Sequence, residues 1–234
     1  MIRTPPSLRA RVPPTRRDGR AQSRGDRTRT VIIEETIRCV VDEGFAAASA
    51  RHIAERAGVT WGVVQYHFGD RNGILAEVVA SAYDDFRVAI EGVDVPPGTP
   101  GQRIAAVVDA AWEAFSTPAS RASLEILVAT RATRDSEQGT ELEEMARDMH
   151  RLGEWLVGDD PDPPDRGRAI GQLLWATLRG LVMAQMVTRR PLDSHVERAL
   201  LADLITVALR AEPGGGPVAG RRGGVGAAPV GTIG

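Results

Sequence analysis

Residues 49–68 of this 234-residue chain, SARHIAERAGVTWGVVQYHF, decide its fold. Ser49 is a favoured helix N-cap, and apolar residues follow it at the spacing of one helical face. Gly58 permits a sharp turn, because glycine adopts left-handed backbone conformations without steric cost. Thr60 then precedes a second short helical pattern. A short helix, a tight turn and another short helix form a helix-turn-helix, whose second helix enters the major groove of DNA.

Helical patterns flank this stretch on both sides. Upstream, apolar residues recur at helical spacing until Gly44 ends the pattern. Downstream, Asp70 is placed to cap a longer helix that extends to about residue 91. The segment PPGTP at 96–100 is the clearest internal boundary. Beyond it, five further helical patterns span about 101–116, 119–134, 138–157, 164–189 and 193–211.

No stretch alternates convincingly with a period of two, so the sequence predicts an all-α fold. We expect an N-terminal three-helix domain with the helix-turn-helix, followed by a C-terminal helical bundle. The predicted parts are an Arg-rich arm without regular structure at 1–26, a DNA-binding domain with its linking fourth helix at 27–92, a second domain at 101–211 and a disordered Gly/Pro tail at 213–234.

Composition narrows the functional class. The net charge of −2 conceals a basic N-terminus, because the first 30 residues carry nine arginines against two aspartates. Such an arm suits a polyanionic partner. There is no uninterrupted apolar run of the roughly 18 residues that a membrane helix needs and no apolar leader, so we expect a cytoplasmic protein without membrane contact. The single cysteine, Cys39, lies in an apolar helical pattern and is interpreted as a packing residue.

Residues 31–79 resemble the DNA-binding domain of the TetR family of transcriptional regulators. The first-helix pattern appears as IIEETIRCVVDEGF, the second and third helices as SARHIAERAGVTWGVVQYHF, and the start of the fourth as GDRNGIL. The rest of the chain matches the family only in length and helical pattern. The resemblance implies a homodimer that binds a near-palindromic operator in double-stranded DNA and is a repressor released by a small-molecule effector.

Chemistry assigns roles to the residues that the motif leaves exposed. Thr60 and the first amides of the third helix suit a phosphate, because a helix N-terminus carries free N–H groups and positive potential. Gly62 would let the helix approach DNA closely. Tyr66 and His67 can donate hydrogen bonds to phosphates, although His67 has a core-facing role as its alternative.

Two positions depart from the resemblance. Gln65 stands where family members commonly have tyrosine, and Trp61 replaces the usual lysine after the turn. A glutamine can form a bidentate contact with adenine, and a tryptophan can contact a thymine methyl group, with packing as the alternative for Trp61. Arg71 matches the family's basic residue at the start of the fourth helix. We predict phosphate contacts for Arg71 and Arg51, with a solvated surface charge as the alternative.

By the same resemblance, the last two long helices would pair with those of a second subunit. The segment IGQLLWATLRGLVMAQMV at 170–187 is apolar nearly all round, as expected of a helix between its own core and a partner. Small residues recur in it at four-residue spacing, at Ala176, Gly180 and Ala184. The last helix would complete the interface through Ala199, Leu200, Leu204, Val207 and Ala208. An ordinary buried helix of a monomer is the alternative.

The resemblance also implies an effector cavity in the C-terminal domain. Its candidate residues are large apolar side chains, which are more often core: Trp112, Phe115, Met145, Met149, Trp175 and Met183. Few charges lie among them, so we predict an apolar or aromatic effector. Arg131, Arg179 and His150 are the candidates for selecting a polar or anionic group, with a surface or structural role as the alternative for each.

Two other classes of protein compete with a DNA-binding regulator. An enzyme is unsupported, because the four histidines are scattered, no cysteine cluster suggests zinc and no G-x-S-x-G motif is present. We therefore expect no catalysis, no metal and no cofactor. A helical protein-interaction adaptor without DNA binding is the second alternative. It would leave the exposed residues from Thr60 to His67 without a purpose.

Overall fold

The computed structural model describes residues 19–93, 97–132, 143, 147–148, 150–155, 164–188 and 193–210. Every regular element within these ranges is an α-helix, which confirms the predicted all-α fold. The helices are α1 Gly19–Glu43, α2 Ala50–Arg56, α3 Trp61–Phe68, α4 Arg71–Glu91, α5 Pro100–Phe115, α6 Pro118–Ala129, α7 over residues 150–155, α8 Pro164–Val187 and α9 His195–Arg210.

The turn residues singled out in the sequence delimit the first helices. Gly44 follows α1 with a φ of +89° and Gly58 follows α2 with a φ of +65°, a backbone region that disfavours side chains. The side chains of Ser49 and Asp70 each accept a hydrogen bond from the amide three residues further along, at 3.2 and 2.9 Å. These caps start α2 and α4, so local chemistry alone sets where the helix-turn-helix begins and ends.

Threonine–proline pairs begin the next two helices. Thr99 and Gln102 form a reciprocal capping box around the start of α5. The Thr117 side chain accepts a hydrogen bond from the Ser120 amide at 3.1 Å and so caps α6. A proline occupies the first turn of each helix, where its missing N–H would have no partner in any case.

Two hydrophobic cores share α4 and α6. The N-terminal core joins α1, α2 and α3 to the first half of α4, and it also contains Ala122 and Ile126 of α6. The C-terminal core joins α5, α7, α8 and α9 to the second half of α4 through Phe86 and Ile90, and it contains Leu124 of α6. A movement of α6 therefore displaces side chains in both cores.

The first helix begins at Gly19, within the arm for which we predicted no regular structure. Contacts with later helices explain the difference. The Arg29 guanidinium lies 2.6 Å from the Glu77 carboxylate and 4.8 Å from the centroid of the Phe68 ring. Tertiary contacts of this kind stabilise a helix that its own sequence pattern does not predict. The rest of the arm and the predicted Gly/Pro tail lie outside the described residues.

The outer faces of α8 and α9 are apolar. One face of α8 is buried at Leu174, Leu178 and Val182. The opposite face exposes Leu173, Met183 and Val187, and α9 exposes a similar row: Val196, Leu200, Leu204 and Val207. The segment Arg166–Val187 has the length and composition of a membrane-crossing helix, although arginines interrupt its apolar residues. A single helix of this kind is weak evidence, because helices that line cores or interfaces share the property.

Candidate nucleic-acid interface

The third helix is attached to the N-terminal core along one face. Val64 is fully buried, and Val63 and Phe68 pack partly buried against the same core. Helix periodicity turns the remaining side chains away from the core. Five of the predicted DNA-contacting residues are exposed there: Thr60, Trp61, Gly62, Gln65 and Tyr66. The structure thus brings them together on one surface, which we call the α3 surface.

The two aromatic residues of the α3 surface differ in exposure. The Tyr66 side chain is 86% exposed, whereas Trp61 is 39% exposed at the first position of α3. The Tyr66 ring packs edge-on against the His67 ring, with 5.1 Å between the centroids, and most of the Tyr66 side chain is accessible to a partner. The partial burial of Trp61 is compatible with both packing and contact, so the two interpretations of this residue stay open.

The N-terminus of α3 offers free backbone donors. Thr60 occupies the N-cap position with an extended backbone, but its hydroxyl makes no capping hydrogen bond. The first N–H groups of a helix have no partner within the helix. They point out of the α3 surface together with the positive end of the helix dipole, which is the arrangement that binds phosphate.

His67 lies at the edge of the α3 surface, half-buried against α1. Its ring edge would be 3.7 Å from a β-carbon placed at Gly25, and its carbonyl accepts a hydrogen bond from Arg29 at 3.3 Å. Sequence reasoning missed Arg29, which ties α1 to the end of α3. The alternation of arginine and threonine at 27–30 gave no signal for this contact, because its partners are distant in sequence.

We predicted that Arg71 contacts a phosphate. In the structure its guanidinium has partners within the domain. Its guanidinium donates to the carbonyls of Ala48 at 2.6 Å and Phe45 at 3.0 Å, and it lies 4.4 Å from the centroid of the Phe45 ring. Arg71 thus holds the turn between α1 and α2. Arg51 is different, since it is exposed and pairs with Glu55 at 2.9 Å along one helix face.

A cluster of titratable groups lies between α1 and α2. Potential ligand atoms of Cys39, Glu43 and His52 lie within 4.8 Å of one another. His52 and Arg56 hydrogen-bond to the Glu43 carboxylate, and they lower its pKa. Burial raises the pKa of the Cys39 thiol, which keeps it protonated. The cluster is therefore a charge-paired link between two helices, and the buried Cys39 is a packing residue as predicted.

The C-terminal half contains an open cavity of about 30 Å³ between α4, α6 and α8. Phe115 and Trp175, two of the residues predicted to bind the effector, line this cavity. Trp112 and Met183 are not among its lining residues. Trp112 packs partly buried under the Arg198 guanidinium, 5.3 Å from its ring centroid. Met183 belongs to the outward row of α8, on the side opposite the buried Leu178 and Val182. Met145 and Met149 lie outside the described residues.

The three candidates for selecting a polar group occupy different places. Arg179 lines the cavity. Arg131 is exposed after the end of α6 and donates to the Val128 carbonyl at 3.3 Å. His150 is half-buried on α7, and its Nε2 atom has no hydrogen-bond partner among the described residues.

Sequence reasoning also missed Glu125, a residue of α6 that contacts the DNA-binding half. Its Oε1 atom accepts a hydrogen bond from the Phe45 amide at 2.5 Å. Both Glu125 and Arg71 therefore bind the same turn between α1 and α2. Only the folded chain brings α6 to this turn, 80 residues away in sequence.

Sequence comparison with known proteins finds the same motif at the same residues. The family model for bacterial regulatory proteins of the tetR family matches residues 32–78, which contain α2, α3 and their turn. The chain is 26% identical over 182 residues to the HTH-type transcriptional regulator BetI of Escherichia coli O17:K52:H18, covering 76% of this chain and 92% of that protein.

Solved structures share the whole fold. A transcriptional regulator from Rhodococcus sp. Rha1 superimposes with a TM-score of 0.62 at 19% identity, covering 78% of this chain and 96% of that one. NalD, the secondary repressor of the MexAB-OprM multidrug efflux pump in Pseudomonas aeruginosa, has a TM-score of 0.58 at 20% identity, covering 80% and 97%. With the helix-turn-helix in place at the matched residues, the chain is similar in sequence and in fold to transcriptional regulators of the TetR family.

Proposed function

We propose that the protein is a homodimeric repressor that binds a near-palindromic operator and is released from it by a small-molecule effector. The observation that carries the proposal is the α3 surface. One face of an eight-residue helix is buried in the core, and the other presents Gln65, Tyr66 and free backbone donors to solvent. These groups are exposed to solvent, and together they match what a recognition helix presents to DNA.

Within this proposal, the contacts divide by chemistry. The amides at the start of α3, the Thr60 hydroxyl and the Tyr66 hydroxyl bind phosphates and so position the protein. Gln65 reads an adenine and Trp61 contacts a thymine methyl group, which sets sequence preference. Arg51 and His67 remain proposed phosphate contacts at the edge of the surface. The DNA-binding part comprises α1 to α4, and the regulatory part comprises α5 to α9.

The exposed apolar rows of α8 and α9 support the homodimer. Exposed apolar rows on two helices that contact each other are typical of an interface. At Gly180 an added β-carbon would meet no atom within 4 Å, so a partner helix can approach α8 closely there. Two copies related by a two-fold axis would place their α3 helices in successive major grooves, about 34–36 Å apart.

Effector binding in the cavity would weaken DNA binding by favouring a conformation whose α3 spacing does not fit the operator. The α6 helix supports this coupling, because Ser123 and Leu124 line the cavity while Glu125 binds the α1–α2 turn. The cavity walls are mainly aromatic and aliphatic, which supports an apolar or aromatic effector body. Since the operator is chromosomal, we infer that the protein acts in the cytoplasm.

The proposal is tested by fluorescence anisotropy with DNA from the promoters beside the gene. We expect salt-sensitive binding to one near-palindromic site, and Gln65→Ala should reduce discrimination against a single-base operator variant by about tenfold. Glu113→Ala, at an exposed position on α5 outside the α3 surface and the apolar rows, is the control and should leave discrimination unchanged. Absence of specific binding would contradict the repressor and favour the adaptor, and full discrimination by Gln65→Ala would contradict its role in base reading.

A further inference from the structure

The cavity between α4, α6 and α8 has an aromatic wall. The Phe86 and Phe115 rings lie 4.5 Å apart, and Trp175 packs edge-on against Phe115 with a centroid distance of 4.9 Å. Leu124 and Leu127 of α6 complete the apolar lining. This wall suits a flat or extended apolar body. On its own it gives no preference for charge.

Arg179 gives the cavity a charge. Arg179 is one of the residues that line the cavity, and its guanidinium stacks on the Trp175 ring at 4.7 Å from the centroid. Burial lowers the pKa of the Arg179 guanidinium from its ordinary value, but an arginine remains charged throughout the physiological range. A positive charge therefore lies beside the apolar space.

No carboxylate or carbonyl of the described residues pairs with Arg179, and this distinguishes it from other half-buried arginines of the protein. Arg87 pairs with Glu91 at 2.9 Å, Arg198 pairs with Asp109, and Arg71 binds two carbonyls. Withdrawing a guanidinium from water without a hydrogen-bonding partner is unfavourable. The Arg179 guanidinium would gain hydrogen bonds if a group with several acceptor atoms entered the cavity.

Serine hydroxyls on α6 supply further polar atoms. Ser123 is 6% exposed and lines the cavity, and its hydroxyl is a possible hydrogen-bond donor to a bound group. Ser120 donates to the Ala114 carbonyl at 2.9 Å, so its oxygen can still accept. A carboxylate accepts hydrogen bonds only, and it matches the fork of donors on arginine together with a hydroxyl donor.

We propose that the effector is a small apolar molecule with one carboxylate, which Arg179 binds while the apolar body packs on Phe86, Phe115 and Trp175. The inference rests on the proposed function, because it takes this cavity as the effector site. It excludes a cationic effector, which would place a second positive charge beside Arg179, and a purely apolar effector, which would leave the guanidinium unpaired.

The test compares three probes of one shape with the full-length protein by titration calorimetry: 4-phenylbutyrate, 4-phenylbutanamide and 4-phenylbutylamine. Benzoate and octanoate are added as two further acids, one with a smaller aromatic body and one with a straight alkyl chain. We expect a carboxylate to bind more tightly than its amide by about tenfold or more, and the amine to bind least. In Arg179→Gln the acid and the amide should differ by less than about twofold. Arg179→Lys keeps the charge and should retain part of the preference.

Arg131→Gln is the matched control, because Arg131 is exposed outside the cavity, and it should keep the full preference of the natural protein. Equal binding of acid and amide by the natural protein overturns the inference without any variant, and so does an undiminished preference in a folded Arg179→Gln. Failure of every acid to bind at millimolar concentration overturns it too. Operator binding measured without a probe separates these results from failure of the proposed function, since a repressor with another effector still binds DNA.

Discussion

Arg71 illustrates how one residue stabilises the DNA-binding half from within. It binds the carbonyls of Phe45 and Ala48 and stacks on the Phe45 ring, so it closes the turn that orients α2. A phosphate contact and a structural role both predict weaker DNA binding when Arg71 is replaced. The two roles predict different changes in the free energy of unfolding and in the salt dependence of DNA binding.

We expect Arg71→Met to lower the free energy of unfolding by about 1–3 kcal/mol, because two carbonyls lose their partner. Operator affinity should fall without a change in the slope of log K against log salt concentration. A phosphate contact would instead reduce that slope by about one. Chemical denaturation and anisotropy at several salt concentrations measure both quantities.

Arg51→Met is the control for this prediction. Arg51 is exposed and its pair with Glu55 lies on the surface, so the free energy of unfolding should change by less than about 0.5 kcal/mol. If Arg71→Met keeps its stability and shows the reduced salt slope, the guanidinium leaves the turn to bind a phosphate and our structural assignment is wrong.

At the scale of elements, α6 is the helix that both halves share. It contributes to both cores and lines the cavity, and its Glu125 side chain accepts a hydrogen bond from the Phe45 amide. A short helix with these three attachments can transmit a displacement, because packed cores resist gradual deformation. The capped ends of α6 make it move as a unit.

We expect Glu125→Ala to weaken communication between the cavity and the DNA. Effector affinity should change little, since Glu125 does not line the cavity. The coupling free energy between effector and operator, typically about 1–3 kcal/mol, should decrease because the α1–α2 turn loses its link to α6. It is obtained from effector affinities measured with and without saturating operator.

Glu113→Ala is the matched control on α5, where the side chain is exposed, and its coupling should equal that of the natural protein. Unchanged coupling in a stable Glu125→Ala would show that the hydrogen bond between Glu125 and Phe45 does not carry the signal.

At the scale of the whole molecule, the exposed apolar rows of α8 and α9 support a second subunit that would cover them. Leu200 and Leu204 of α9 are each more than half exposed, at 56% and 54%. We expect Leu204→Glu to convert the dimer to monomers, because a buried unpaired carboxylate at the interface is strongly unfavourable. Operator affinity should fall as the second half-site contact is lost. Sedimentation velocity measures the mass, and anisotropy measures the affinity.

Val88→Glu places the same charge on α4, where the side chain is 59% exposed but belongs to neither row. It should remain dimeric with full operator affinity. A monomeric natural protein, or a dimeric Leu204→Glu, would contradict the proposed interface.

The sequence by itself determined the helices and the helix-turn-helix. Caps at Ser49 and Asp70, glycines with positive φ after α1 and α2, and apolar spacing along α3 are local signals, since each acts within one or two turns of helix. For this reason the fold class and the set of residues on the α3 surface were predictable. The sequence could not single out Phe115 and Trp175 from the other large apolar candidates for the cavity. The reason is that an apolar pattern does not reveal which side of a helix faces a cavity.

Tertiary structure alone decided the rest. It extended α1 back to Gly19, turned the Arg71 guanidinium onto the α1–α2 turn, and stacked Arg179 on Trp175 without a hydrogen-bond acceptor among the described residues. It also placed α6 in both cores and directed Met183 outward. The physical reason is that the partner of a long charged side chain, and the direction in which a helix face points, depend on segments far away in sequence. The residues from 49 to 68 specify a DNA-reading element, and only the packing around it shows how a ligand would control it.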